Sequence, residues 1–283
     1  MKKRLSIGLV IFLVVLLVLI GLIFIKNSKD RTNQQENQKS NQLIEDQKEQ
    51  LETEREKAPE NRQEKNKKGK KIIADISKKI RPETPIPESI NLDVPFTSQA
   101  PHADWRMPWQ EGCEEAALIM VHRYLQGERG GEINKDLADQ EILQMIDWQV
   151  KNWGGHYDLK AQEIAKLAKQ YYGYKNVEVK YDIAAEDIKR ELAQKNPVIV
   201  PAAGRLLENH YFTPPGPVYH NLGIVGYDAN GFVANDPGVW QGYKFRYSSE
   251  NLLDSIHDFV DGATKANPSP ILNGRKAMII MKK

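Results

Sequence analysis

Of the 23 aromatic side chains in this 283-residue chain, 21 lie at Phe96 or beyond, and only Phe12 and Phe24 precede it. A polypeptide buries a core only where it carries large apolar side chains, because their removal from water must offset the entropy of ordering the chain. The folded part is therefore expected from about residue 90 onward, a length sufficient for one well-buried domain. Charge divides the same way. Residues 1–90 carry a net +6 and residues 91–283 a net −4. The foldable part is mildly acidic, which argues against a nucleic-acid-binding domain.

Ahead of that domain, Leu5–Ile25 is a run without charge, flanked by Lys2-Lys3-Arg4 and Lys26. At helical rise it covers about 30 Å, the thickness of the hydrocarbon core of a bilayer. It is longer than the apolar part of a cleaved signal peptide and ends without a small-residue cleavage pattern. Residues 1–25 are thus expected to be a transmembrane signal anchor, with the membrane as a partner. The positive-inside tendency places the domain outside the cytoplasm. Residues 26–89 are expected to form a stalk. Their first 55 positions hold 15 cations, 11 anions and no aromatic residue, and Pro82, Pro85 and Pro87 make a stiff spacer at the end.

From Ile90 the pattern changes. Leu92–Phe96 reads as a short strand feeding a loop over 101–112. In 113–125, Ala116, Ala117, Met120, Val121 and Tyr124 form the stripe of a helix packed on a core. Further helices are predicted at 135–150, 159–172 and 185–195. Apolar runs at 197–201, 222–227 and 277–281 read as strands, and Asp228-Ala229-Asn230-Gly231 is a hairpin turn returning into Phe232–Ala234. Helices first and antiparallel strands second is an α+β pattern.

The single cysteine, Cys113, excludes a disulfide framework and a cysteine-based zinc site. It opens the first predicted helix, where the helix dipole favours a thiolate; the plain alternative is a small buried hydrophobe. A thiolate enzyme needs a base and a group to orient it. His220 begins one arm of the predicted hairpin and Asp236 ends the other, so the turn brings them together. The plain alternatives are a strand-end polar residue and a turn former. Trp105 and Trp109 flank Cys113 in sequence and are candidates to line a substrate groove. His102, His122, His156, His210 and His257 lack metal-ligand spacing, and neither a metal nor another cofactor is expected. Residues 204–219 form a long proline-bearing loop before His220, of the kind that shapes a site.

Three blocks together resemble the peptidase C39-like family, whose members have the papain-like cysteine peptidase fold: Val94–Gln99, Glu111–Ala116, and His220–Tyr227 with Asn235-Asp236-Pro237. The resemblance covers residues 90–283. It implies an N-terminal helical half and a C-terminal antiparallel sheet. It also implies Cys113 as nucleophile, His220 as general base and acid, and Asp236 as the residue orienting His220, with Asn235 the alternative. Such peptidases use a glutamine before the cysteine as a donor to the oxyanion; Gln99 fits the motif, and Gln110 is the alternative. The expected function is a membrane-anchored cysteine peptidase that cleaves peptide or related amide bonds through a thioester. The alternatives are a catalytically silent, tethered module binding peptide or cell wall, and an acyl-transfer enzyme using the same triad.

Overall fold

The computed structural model describes residues 86–283. The expected anchor, and the expected stalk up to Pro85, lie outside the described residues. Among the described residues no helix is long and apolar enough to cross a membrane.

The first long helix, α1 (Cys113–Gln126), begins after Gly112 and stops at Gly127, which takes the left-handed conformation (φ 105°) that suits glycine at a helix end. The sequence stripe predicts a helix with one buried face. The structure buries every residue from Cys113 to Val121, including Leu118 and Ile119. A helix apolar nearly all round is a central one, and α1 packs on the sheet and against two other helices. Helix α2 (Lys135–Trp153) follows a cap in which Asn134 Oδ1 accepts from the backbone N–H groups of Asp136 and Leu137. Helices α3 (Ala161–Tyr171), α4 (Ala185–Ala193) and α5 (Ser249–Ser255) complete the set of α-helices among the described residues.

One antiparallel sheet carries the rest, in the spatial order β2 (Asn176–Tyr181), β7 (Ala277–Lys282), β3 (Val198–Ala203), β4 (Tyr219–Asp228), β5 (Gly231–Asn235) and β6 (Phe245–Tyr247). The short strand β1 (Ile90–Asn91) pairs with β4 opposite Gly226 and Tyr227. The α+β class and the antiparallel sheet agree with the sequence reading. Two details differ. The strand expected over Leu92–Phe96 is displaced: pairing occurs at Ile90–Asn91, and Phe96 makes only an isolated bridge to Glu132. Pro95, lacking an N–H, cannot extend a ladder. The second difference is β2, which lies between two helices in sequence yet forms an edge of the sheet.

The hairpin that carries the site behaves as its turn residues dictate. Gly231 stands at φ +125°, and a Cβ there would sit 2.2 Å from the Tyr247 carbonyl oxygen. Gly231→Ala is therefore expected to cost about 1–3 kcal/mol through backbone strain and overlap. A melting curve that superimposes on the parent's would refute this.

Candidate active site

Strand alternation decides what faces what. Successive side chains along β4 point to opposite faces of the sheet. A Cβ on Gly223 would meet Met120 of α1 at 3.9 Å, so the odd-numbered positions near the start of β4 face α1. Asn221 shares that face, and its Nδ2 lies 3.7 Å from Cys113 Sγ. His220 points the other way.

On its own face His220 meets the expected partner. Its Nε2–H donates to Asp236 Oδ1 at 2.7 Å, and both side chains are buried. The carboxylate is enclosed by three further donors. The Gly238 N–H donates to Oδ1 at 2.9 Å, the Tyr247 hydroxyl to Oδ2 at 2.6 Å, and the Asn209 amide to Oδ2 at 2.7 Å. Burial alone would raise the Asp236 pKa, but His220 and the hydrogen bonds from His220, Tyr247 and Gly238 outweigh it and hold the carboxyl below its ordinary value. With Nε2 engaged, Nδ1 is the ring nitrogen left to accept a proton. Phe212 stands edge-on to the imidazole, with ring centroids 5.5 Å apart. Gly238 lets the loop close over the ring: a Cβ there would come within 2.8 Å of His220 Cε1.

The thiol has other company. Cys113 is buried, its S–H donates to Glu114 Oε2 at 3.0 Å, and among the described residues its polar partners are Glu114 and Asn221. The structure therefore brings His220 to Asp236, and among the described residues no hydrogen bond joins Cys113 to His220. It also reverses an expectation drawn from the helix start. Burial pushes the thiol pKa well up, and the charges of Glu114 and Asp158 add to that; only the Asn221 amide works the other way. The dipole of α1 does not prevail against a buried site ringed by acids. Glu114 itself is raised by burial and by Glu115 and Asp158. Asp158 is pushed up to about 7 by burial and by Glu111. His156 sits 3.4 Å from Glu115 Oε1. Burial opposes its charge, but Glu115 and Glu111 outweigh that and raise it.

The two glutamines have distinct places. Gln99 Nε2 donates to the backbone oxygens of Trp109 at 2.9 Å and Gln110 at 3.0 Å, so both amide hydrogens are engaged. Its backbone N–H donates to the Pro237 carbonyl at 2.9 Å. Gln99 thus joins the turn before Cys113 to the loop after Asp236. The Gln110 side chain is exposed. Asn235, the alternative third residue, is not on His220: its amide donates to the Val94 and Pro95 carbonyls and its Oδ1 accepts from Lys244 N–H. Trp105 is 39% exposed. Trp109 is anchored instead, its indole N–H donating to Asp139 Oδ1 at 2.8 Å.

The sequence already sets Glu114 and Glu115 against a thiolate at Cys113, and the structure bears this out for Glu114; it does not by itself mark Asn221 as a thiol neighbour, or Asn209 and Tyr247 as holders of Asp236. Asn221 was within reach, since period-two alternation already sets it opposite His220.

A family model described as the Peptidase_C39 like family matches residues 91–255. Among solved structures, that of a candidate C39-like peptidase from Bacillus anthracis is 18% identical, with a TM-score of 0.40. The alignment covers 70% of this chain and 99% of that one. No curated protein matches the chain.

Proposed function

Because the chain belongs to the Peptidase_C39 like family, we propose that it is a cysteine peptidase held at a membrane by Leu5–Ile25. The observation that carries this reading is the buried His220–Asp236 pair, a base already oriented by a carboxylate, at the end of the sheet where the α1 start is tied in through Gln99. Cys113 is the nucleophile. Its sulfur bonds to the substrate carbonyl carbon as its proton passes to His220 Nδ1. That proton then goes to the leaving amine as the C–N bond breaks. Asp236 holds the imidazole in the tautomer this requires and stabilises its cation. Water hydrolyses the resulting thioester. The Cys113 backbone N–H, at the first turn of α1, is a donor to the oxyanion, and the Gln99 amide joins it once released from Trp109 and Gln110. The described arrangement is then a resting one, from which Cys113 must leave Glu114 to reach the imidazole.

A tethered binding module is the second reading. The observation favouring it is that the buried thiol is paired with a carboxylate and an amide rather than an imidazole. Digestion of a complex peptide mixture, read by mass spectrometry, separates the two. New termini produced by the parent chain and lost in His220→Ala are expected. An inert parent chain would favour the module, and full cleavage by the variant would remove His220 from the mechanism.

A further inference from the structure

Glu114 is an unusual residue for the first turn of a helix. Acids are favoured there by the dipole, but they normally face water; Glu114 is fully buried. Its two carboxylate oxygens have separate tasks. Oε2 accepts the Cys113 S–H at 3.0 Å, and Oε1 accepts the Leu159 N–H at 3.0 Å. Leu159 is fixed in turn, because its carbonyl accepts the Tyr219 hydroxyl at 2.7 Å. The carboxylate is therefore pinned against the sulfur from the loop before α3, and that loop is pinned by β4. On the sulfur's other flank stands Asn221, which is also fully buried. Its Nδ2 faces Sγ at 3.7 Å, and its Oδ1 has no hydrogen-bond partner among the described residues. A buried amide left half-satisfied is costly on structural grounds alone.

We propose that Glu114 and Asn221 form a clamp on Cys113 that controls its ionisation, Glu114 holding the proton on sulfur and Asn221 donating a hydrogen bond to the thiolate once it forms. The proposal rests on Cys113 being the nucleophile of the reading above. The two groups pull in opposite directions. A carboxylate that accepts the S–H bond stabilises the thiol, whereas an amide N–H aimed at sulfur stabilises the thiolate. The other titratable and charged groups around the clamp are Glu115 on α1, Glu111 before it, His156 and Asp158 in the loop leading to α3, Tyr219 on β4, and Lys265, whose Nζ is 3.8 Å from Glu111 Oε1. His220 is not in this set: its Nε2 is engaged by Asp236, and among the described residues no hydrogen bond joins its ring to Sγ.

The test is the pH dependence of alkylation by iodoacetamide on the full chain, where one cysteine makes the readout unambiguous. Glu114→Gln keeps an oxygen for the Leu159 N–H and puts an amide in place of the oxygen that accepts the S–H. Its alkylation midpoint is expected to fall by a unit or more, so that the thiol reacts about tenfold faster, or more, at pH 7. Asn221→Ala is expected to move the midpoint up and to carry the test should Glu114→Gln not fold. A Glu114→Gln midpoint that stays in place or rises overturns the proposal, and an unmoved Asn221→Ala midpoint overturns the part given to Asn221. Peptide cleavage is measured on the same samples. Shifted midpoints without cleavage in any sample would sink the peptidase reading and leave the clamp standing; cleavage with unshifted midpoints would do the reverse.

Discussion

Replacing Cys113 with Ala is expected to end hydrolysis while leaving the domain folded. Alanine is the best helix former, and position 113 opens α1. The change removes one sulfur atom and the S–H bond to Glu114, a loss of about 1–2 kcal/mol from the missing contacts and the unfilled space. In a domain of this size that lowers the melting temperature by only about 2–8 °C. The chemical loss is of another order. No second thiol exists in the chain, and removing a nucleophile of this kind lowers kcat by about 10⁴-fold or more. Turnover of a cleaved peptide and a melting curve on the same preparation check both halves. Undiminished hydrolysis by Cys113→Ala would remove the peptidase mechanism.

The second large effect concerns Asp236. Four donors converge on its carboxylate: His220, Gly238, Tyr247 and Asn209. Asp236→Ala leaves all four without this acceptor, three of them buried, and breaking a buried charged pair from one side costs about 3–5 kcal/mol. Asp236→Asn keeps the shape but presents an amide, so it is expected to cost less stability and still lose the oriented base. The pH dependence follows from the lowered Asp236 pKa. As acid is added, the unfolded chain takes up this proton first, near the ordinary value of 3.8. The folded protein resists until a lower pH. The stabilisation is therefore complete above the ordinary value and disappears as pH falls through the folded one. Acid unfolding of Asp236→Asn should be flatter across that window. An acid-unfolding curve identical to the parent's would show that the carboxylate does not titrate as described.

Much of the fold was legible because local chemistry and packing agree. Asp228–Gly231 demanded a tight turn, and the hairpin formed with Asp228 opposite Gly231. The apolar spacing of 113–125 demanded a helix. What it did not reveal is that Glu114 and Glu115 would be buried with the apolar residues, since an acid in a first turn is ordinarily solvated. The sequence predicts no strand at β2, because Asn176, Glu178 and Lys180 occupy one side of it. Its alternation of Val177, Val179 and Tyr181 suits a sheet edge, where one face stays wet. At the site, the His220–Asp236 meeting was readable from turn geometry alone. The position of Cys113 relative to them was not, because it depends on which face of β4 the start of α1 covers, a tertiary fact that no local spacing encodes.

Gln99 gives the two halves of the site a common mechanical joint. In the proposed mechanism, the rotation that frees its amide for an oxyanion also releases two of the bonds on the turn ahead of Cys113, while its backbone bond to Pro237 keeps the Asp236 loop attached to the same segment. Under that reading, donor availability and the tightness of the turn ahead of the nucleophile are coupled. A ligand strand that supplied its own N–H groups to the Trp109 and Gln110 carbonyls would release that amide, so that ligand binding and readiness of the proposed donor would rise in step.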